Sequence, residues 1–176
     1  TLLVGNPAFN SALFPRMREI AESRREVDSI AVGYARPMVL IGASASKDVV
    51  LKALPGASLF HFAGHAQLME RAPARSHLVL AGQSGDVGEN TITAAEVAKL
   101  RLSRMELVVL SSCGTTQQSG SGRASVQNGL ADAFLSAGAK GVVSSGWEVD
   151  DAATARLMQV LHRELRTEAN PAVALQ

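Results

Sequence analysis

Residues 107–115 read LVVLSSCGT and contain Cys113, the only cysteine among the 176 residues of the chain. An apolar run gives way here to Ser, Gly and Thr, which predicts a buried strand over residues 106–111 followed by a polar loop. A lone cysteine is often a small buried hydrophobe. Open α/β sheets, however, place their chemistry at the carboxyl ends of their strands. Cys113 is therefore a candidate nucleophile if the rest of the chain forms such a sheet.

The rest of the chain alternates between strand and helix patterns. Short apolar runs closed by turn residues predict strands at 2–7, 38–42, 58–63, 106–111 and 141–147, and a shorter apolar stretch lies at 77–81. Helical spacing and capping signals predict helices at 16–31, 47–54, 93–100 and 126–138, one from Asp150 or Asp151 to 165, and a last one after 171. Several strands are apolar on both faces, which indicates a mainly parallel sheet covered by helices on both sides. The sequence predicts one α/β domain over residues 1–176.

Composition excludes several classes of function. Aromatic residues make up 4% of the chain and the net charge is +1, so neither a stacking platform nor a basic surface for nucleic acid is expected. No apolar run approaches the ~18 to 20 residues that cross a bilayer, so we expect no membrane contact. The single cysteine suits a reducing compartment, which predicts a cytoplasmic protein. The chain begins at Thr1 without an initiator Met, and we interpret it as part of a larger, multidomain protein.

A second predicted strand, 58–63, ends just before His65. If this strand neighbours strand 106–111 in a parallel sheet, the imidazole of His65 and the thiol of Cys113 face each other across a crevice. A nearby imidazolium lowers the pKa of a thiol from about 8.5 and favours the thiolate. The pair would supply a nucleophile and a group that protonates a leaving amine, as covalent acyl transfer requires.

The other histidines carry less weight. His61 and His65 have the H-x-x-x-H spacing of helical zinc ligands. In a strand, however, four residues span about 13 Å, too far for one metal ion. We therefore predict no metal site, a structural role for His61, and no special role for His77 or His162.

The motifs around the two candidate residues resemble a known family. HFAGHA at 61–66 and VVLSSCGT at 108–115 are similar to the paired motifs of the CHAT domain, a caspase-like cysteine peptidase family related to separase. His65 precedes Cys113 by 48 residues, close to the roughly 50 residues between the caspase pair. The similarity continues through LLVGNPAF, ITAAEVAKL, GLADAFLSAGAKGVVSSGWEVDDAATARLM and NPAVALQ, which start at residues 2, 92, 129 and 170.

The resemblance implies a caspase-like three-layer α/β sandwich and endopeptidase activity through Cys113 and His65, without metal or cofactor. It also implies an oxyanion hole formed by the backbone N–H groups of Ala66 and Cys113. Ala66 stands where the family commonly has glycine, which matters only if that position requires a positive φ. The expected partners are a protein or peptide substrate and a repeat or sensor domain, fused or separate, that regulates the enzyme.

Two features suggest substrate recognition and processing. Asp151, and after it Asp150, correspond to a region where separase uses an aspartate to hold a basic side chain, which implies cleavage after Arg or Lys. Their alternative role is to cap the following helix. Arg123 lies in the polar loop 114–125 and is a candidate for self-processing, although a solvated loop is the simpler interpretation.

Two other functions stay open. One is a catalytically silent CHAT-like module that signals through protein–protein contact, against which the presence of both His65 and Cys113 argues. The other is a thiol hydrolase that acts on a small amide rather than a peptide.

Overall fold

The computed structural model describes residues 1–69, 71–112, 129–144, 151–168 and 170–175, without the side chain of Asp151. In chain order its strands and helices are β1 Leu2–Pro7, α1 Ala21–Ala31, β2 Met38–Gly42, α2 Lys47–Ala53, β3 Leu59–Ala63, β4 Ala66–Gln67, β5 His77–Val79, β6 Thr91–Thr93, α3 Ala94–Val97, β7 Leu107–Ser111, α4 Gly129–Ser136, β8 Val142–Ser144, α5 Asp151–Glu164 and α6 Pro171–Ala174.

A parallel sheet forms the centre of the molecule. Within the described residues its five strands lie in the order β2-β1-β3-β7-β8, each parallel to its neighbours. The register of β3 against β7 runs from Leu59 opposite Leu107 to Ala63 opposite Ser111. The mainly parallel sheet predicted from the sequence is confirmed, and the two strands that lead to His65 and Cys113 are neighbours.

Helices cover both faces of this sheet. Side chains alternate along a strand, so β3 directs Phe60 and Phe62 to one face and His61 and Ala63 to the other. The phenylalanines belong to a core that includes residues of α2, α3 and α4. Ala63 belongs to a second core, built with Val27, Ile30, Met158 and Leu161 of α1 and α5. Burial on both sides explains why the central strands lack polar alternation.

Helix α1 lies directly on β1. A Cβ atom at Gly5 would be 2.9 Å from the carbonyl oxygen of Ser23 and 2.9 Å from Cγ2 of Val27. Glycine at position 5 is therefore what allows the helix backbone to approach the strand so closely.

The predicted helix over 16–31 is wrong at its amino end, because α1 begins at Ala21 and the backbone of Ile20 is not helical. The segment before α1 makes contacts with the ends of the strands instead. The side chain of Asn6 donates to Oε1 of Glu19 at 3.0 Å, and the carbonyl group of Arg18 reaches the end of β3. These tertiary hydrogen bonds replace those of the missing helical turn.

A smaller antiparallel sheet, β4-β5-β6, begins directly after His65. Its middle strand, β5, takes up the first three residues of the short apolar stretch at 77–81. The capping box predicted for Thr93 and Glu96 is also present at the start of α3. Only two residues, Gly64 and His65, thus connect β3 of the central sheet to β4 of the small sheet.

Candidate active site at the carboxyl ends of the central strands

His65 lies where the strand order of the sheet reverses. The chain places β2 on one side of β1 and β3 on the other, and ligands of such sheets bind outside the strand ends at this switch point. His65 follows the end of β3 by two residues, and Phe9 follows the end of β1 by two. Their rings pack edge to face, with centroids 5.3 Å apart and an interplanar angle of 86°. This contact places the imidazole at the crevice between β1 and β3.

A backbone carbonyl orients the imidazole. Nε2 of His65 lies 2.6 Å from the carbonyl oxygen of Arg18. A carbonyl oxygen only accepts hydrogen bonds, so we assign the ring proton to Nε2, which donates. In the neutral ring Nδ1 is then the acceptor. The bond selects a tautomer whose Nδ1 can take a proton from a neighbouring group, as a general base must.

The backbone around His65 is held on both sides. Its carbonyl oxygen accepts a hydrogen bond from the N–H of Val79 at 2.9 Å. Immediately before it, a Cβ atom at Gly64 would lie 2.9 Å from the ring of Phe62 and 3.1 Å from Cδ of Pro7. Tight packing before the histidine and a hydrogen bond after it restrict where its ring can point.

Ala66, the predicted oxyanion-hole residue, is 2% exposed and pairs opposite Leu78 in the small sheet. The non-glycine residue with a positive φ in the described part of the chain is Asn6, so Ala66 does not adopt the left-handed conformation. Alanine in place of the family's glycine therefore causes no backbone strain. The role of its N–H group stays a prediction.

The other half of the predicted dyad follows β7. Ala63 and Ser111 are paired at the same level of the sheet, and His65 and Cys113 each come two residues later in the sequence. Three predicted site residues lie outside the described residues: Cys113, Arg123 and Asp150. Asp151 begins α5, but its side chain is also outside them. The structure therefore describes the half of the site that His65 forms.

The family model of the CHAT domain matches residues 1–176, the whole chain. The chain belongs to the CHAT domain family. Its structure is similar to one solved as the complex of the pro- and mature domains of RgpB from Porphyromonas gingivalis, with a TM-score of 0.53 and 13% sequence identity. The similarity covers 93% of this chain and 36% of that one. No curated protein sequence matches the chain.

These comparisons confirm the predicted family and the caspase-like α/β sandwich. The CHAT domain therefore has a peptidase fold. The segments on which the resemblance was based include both strand ends described above.

A second group of polar side chains lies buried between the sheet and helices α1 and α5 of the CHAT domain. Oε1 of Glu26 is 2.8 Å from Nε2 of His61. Nδ1 of His61 is 3.0 Å from Nε2 of His162, whose Nδ1 is 2.7 Å from the hydroxyl of Tyr34. Burial, and secondly repulsion from His61, lower the pKa of His162 to about 3. We call these four residues the Glu26–Tyr34 chain.

Sequence reasoning missed this arrangement. His162 was expected to have no special role, yet it contacts His61, which lies 101 residues earlier. The available signal was position: His61 interrupts an apolar strand, and His162 directly follows the buried Leu161 on the apolar face of a helix. The orienting carbonyl of Arg18 was also missed, because a backbone group leaves no trace in side-chain patterns.

The described residues contain no group of three or more His, Cys, Asp or Glu side chains that could hold a metal ion. His61 lies in β3 and faces α1 and α5, whereas His65 lies beyond the strand end. The H-x-x-x-H spacing therefore does not bring the two rings to one point. Of the helices that the structure describes, none is both long enough and apolar enough to span a membrane.

Proposed function

We propose that this CHAT domain is a cysteine endopeptidase in which Cys113 is the nucleophile and His65 is the general base and acid. The observation that carries the proposal is the orientation of the His65 imidazole, whose Nε2 lies 2.6 Å from the carbonyl oxygen of Arg18. His65 follows β3 by two residues, and β3 pairs with β7, the strand that leads to Cys113. The peptidase fold of the family supports the same chemistry.

In the first step Nδ1 of His65 accepts the proton of the Cys113 thiol. The resulting imidazolium keeps its Nε2–H bond to the Arg18 carbonyl. The thiolate sulfur then attacks the carbonyl carbon of the scissile peptide bond and forms a tetrahedral intermediate. The N–H groups of Ala66 and Cys113 would stabilise its oxyanion.

In the second step the C–N bond breaks and Nδ1–H of His65 protonates the leaving amine. The acyl group stays on Cys113 as a thioester. Nδ1, now an acceptor again, removes a proton from water, and the resulting hydroxide attacks the thioester carbonyl. Collapse of that intermediate releases the carboxylic acid, and the proton on His65 returns to the sulfur. No metal or organic cofactor takes part in these steps.

Specificity is proposed to come from a carboxylate at the start of α5. Asp151, supported by Asp150, would pair with the Arg or Lys side chain that precedes the cleaved bond. Arg123 would then fit the same pocket if the loop after Cys113 is cut by another copy of the domain or by its own active site. A fused or partner sensor domain in the cytoplasm would regulate access, as the family resemblance implies.

The experiment that tests the proposal is covalent labelling followed by mass spectrometry. The folded domain is incubated with iodoacetamide, which carries no peptide side chain, and with peptidyl electrophiles that end in Arg, Lys, Asp or Leu. We expect labelling on Cys113, faster with the Arg and Lys probes than with Leu. His65→Ala should slow labelling by all reagents, and Cys113→Ala should abolish it.

A matched control is His77→Gln. The ring of His77 also contacts a backbone carbonyl, that of Arg75 at 2.9 Å, but lies on the small sheet. In His77→Gln, Cys113 should be labelled at the wild-type rate by every reagent. Preference for the Asp probe would keep the peptidase and remove the role of Asp151. Labelling by no reagent, in a folded sample, would contradict the enzyme and favour the catalytically silent module.

A further inference from the structure

The Glu26–Tyr34 chain joins three layers of the fold. Glu26 is on α1 and Tyr34 follows that helix, His61 is on β3, and His162 is on α5. Glu26, His61 and His162 are 3%, 0% and 3% exposed, and Tyr34 is partly buried. The reaction proposed above uses none of these side chains.

Two complete arrangements of protons satisfy these contacts. In one, the Tyr34 hydroxyl donates to His162 and the Nε2–H of His162 donates to His61. In the other, His61 carries both ring protons and donates to Nε2 of His162, which in turn donates to the Tyr34 oxygen. The second arrangement places a cation next to the buried carboxylate of Glu26. The contact between His61 and His162 persists in both.

The Glu26 contact is the least directional of the three. Its 2.8 Å distance is that of an ion pair, but its angle lies outside hydrogen-bond geometry. The 3.0 Å and 2.7 Å contacts of His162, in contrast, satisfy hydrogen-bond geometry. The directional hydrogen bonds of the Glu26–Tyr34 chain are therefore the two made by His162, which lies on α5.

The surroundings of the chain are otherwise apolar. The same layer contains Leu3, Val27, Ile30, Met158 and Leu161. Replacing a buried ionic group by well-packed apolar side chains is often neutral or stabilising, so stability alone does not explain these polar residues. Apolar burial is non-directional, whereas hydrogen bonds fix one relative position. Their effect is to fix where α5 lies along β3.

The two elements joined by this contact, β3 and α5, each connect to a residue of the proposed active site. His65 comes four residues after His61, about 13 Å along an extended strand. Asp151 comes eleven residues before His162, about 16 Å along a helix. Because β8 ends at Ser144 and α5 starts at Asp151, the start of α5 is close in sequence to the edge where the parallel strands end.

We propose that the contact between His162 and His61 positions the start of α5, and with it Asp151, relative to His65. The two histidines are thus positioning residues for recognition of the basic side chain, an inference that rests on the function proposed above. β3 is also held on both sides by β1 and β7, so loss of the contact shifts α5 and leaves His65 in place.

The test compares His162→Phe with Leu161→Val, which alters the neighbouring buried residue and keeps the polar chain. In His162→Phe, we expect labelling of Cys113 by the Arg probe to slow by about tenfold to a hundredfold at sub-saturating probe. The rate with iodoacetamide should stay within about twofold of wild type, because its reaction needs His65 but no side-chain pocket. Leu161→Val should leave the labelling rates with the Arg probe and with iodoacetamide close to those of the wild type.

Two further variants keep the test decisive. Tyr34→Phe removes only a hydroxyl that contacts His162, and should reduce Arg-over-Leu selectivity in the same direction by a smaller factor. His162→Gln retains an amide donor and should restore part of the selectivity that His162→Phe loses. Full selectivity in folded His162→Phe, or an equal loss of reaction with iodoacetamide, would overturn the inference.

Hydrogen exchange separates failure of this inference from failure of the proposed function. We expect the amides of residues 155–158, which follow the first turn of α5 and donate back to it, to exchange at least about tenfold faster in His162→Phe than in Leu161→Val. Equal exchange would overturn the positioning role whatever the labelling result. Wild-type labelling that does not depend on His65 would instead refute the proposed reaction, even if exchange changes as expected. Wild-type labelling without preference for Arg would refute the basic pocket and this inference together.

Discussion

His61 lies in the middle of β3 and His65 two residues beyond its end, and the two rings have opposite surroundings. His61 is fully buried and contacts two ionisable side chains. His65 is partly exposed and contacts a neutral backbone carbonyl and a phenyl ring. The buried ring is tied to the stability of the fold. The exposed ring, with one acceptor nitrogen and a fixed orientation, is suited to moving a proton.

The largest effect should come from His65. Replacing it with Ala removes the base, and we expect Cys113 labelling by the Arg probe at pH 7 to fall by about a hundredfold to ten-thousandfold. The free energy of unfolding should change by less than about 1 kcal/mol, because the side chain is not in the core. Labelling rates and urea unfolding of the same samples measure both. A large loss of stability with little loss of labelling would reverse the distinction between the two histidines.

Glu26→Gln tests the opposite behaviour at His61. It removes the carboxylate charge next to a buried ring, and leaving a buried polar group without its partner costs about 1 to 3 kcal/mol. We expect urea unfolding to show that loss, while the iodoacetamide rate in the folded protein stays near the wild-type value. Glu22→Gln, on the more exposed side of the same helix, is the control and should cost no more than about 1 kcal/mol. Similar losses in both variants would show that burial of Glu26 carries no special weight.

The pH dependence of stability should report on His162. Its pKa is lowered to about 3 by burial and then by His61, whereas an unfolded histidine has a pKa near 6.5. Below about pH 6.5 the unfolded chain therefore binds a proton that the folded chain excludes, so stability is full above this pH and falls toward pH 3. The contribution is at most about 1.4 kcal/mol per pH unit.

Urea unfolding of the wild type and of His162→Phe at pH 7, 6, 5 and 4 isolates this contribution from that of other groups. The unfolding free energy of the wild type minus that of His162→Phe should decrease as the pH falls, because only the wild type loses this contribution. A constant difference from pH 7 to pH 4 would contradict a neutral, buried His162.

The smallest effect should come from Phe9, which supports the ring of His65 edge to face. Aromatic pairs of this kind contribute about 0.5 to 1.5 kcal/mol beyond burial, so Phe9→Leu should slow His65-dependent labelling by about twofold to tenfold. Phe14→Leu is a suitable control, since Phe14 contacts Phe9 rather than His65. Equal labelling in Phe9→Leu and wild type would mean that the carbonyl of Arg18 alone orients the ring.

The features that could be predicted from the sequence are those whose interacting residues lie close together along the chain. The strands at 58–63 and 106–111 were found almost as predicted, as Leu59–Ala63 and Leu107–Ser111, because burial on both faces leaves a local apolar run. The capping box of Thr93 and Glu96 was found because both partners lie within one turn. The alternation of strands and helices predicts a mainly parallel sheet, but it does not predict the order of the strands, which came from the structure.

What could not be predicted depends on distant partners. The start of α1 was misplaced because Glu19 and Arg18, just before it, bond to the distant Asn6 and His65. Tyr34 and His162 are 128 residues apart in the sequence, and His61 and His162 are 101 apart. No local periodicity connects such pairs. The candidate dyad could be named in advance because each member follows a predicted strand by two residues and both stand within recognisable family motifs.

The group that orients His65 belongs to the main chain, and this has a genetic consequence. Every substitution at position 18 retains a carbonyl oxygen, so an alanine scan or a library of point mutants would pass over this member of the site. Selection cannot remove the acceptor by changing a codon there, only by moving the segment. Random mutagenesis could report at most the two side chains of the proposed dyad, and chemical replacement of the 18–19 amide by an ester, which weakens the carbonyl as an acceptor, is the change that would test the third group.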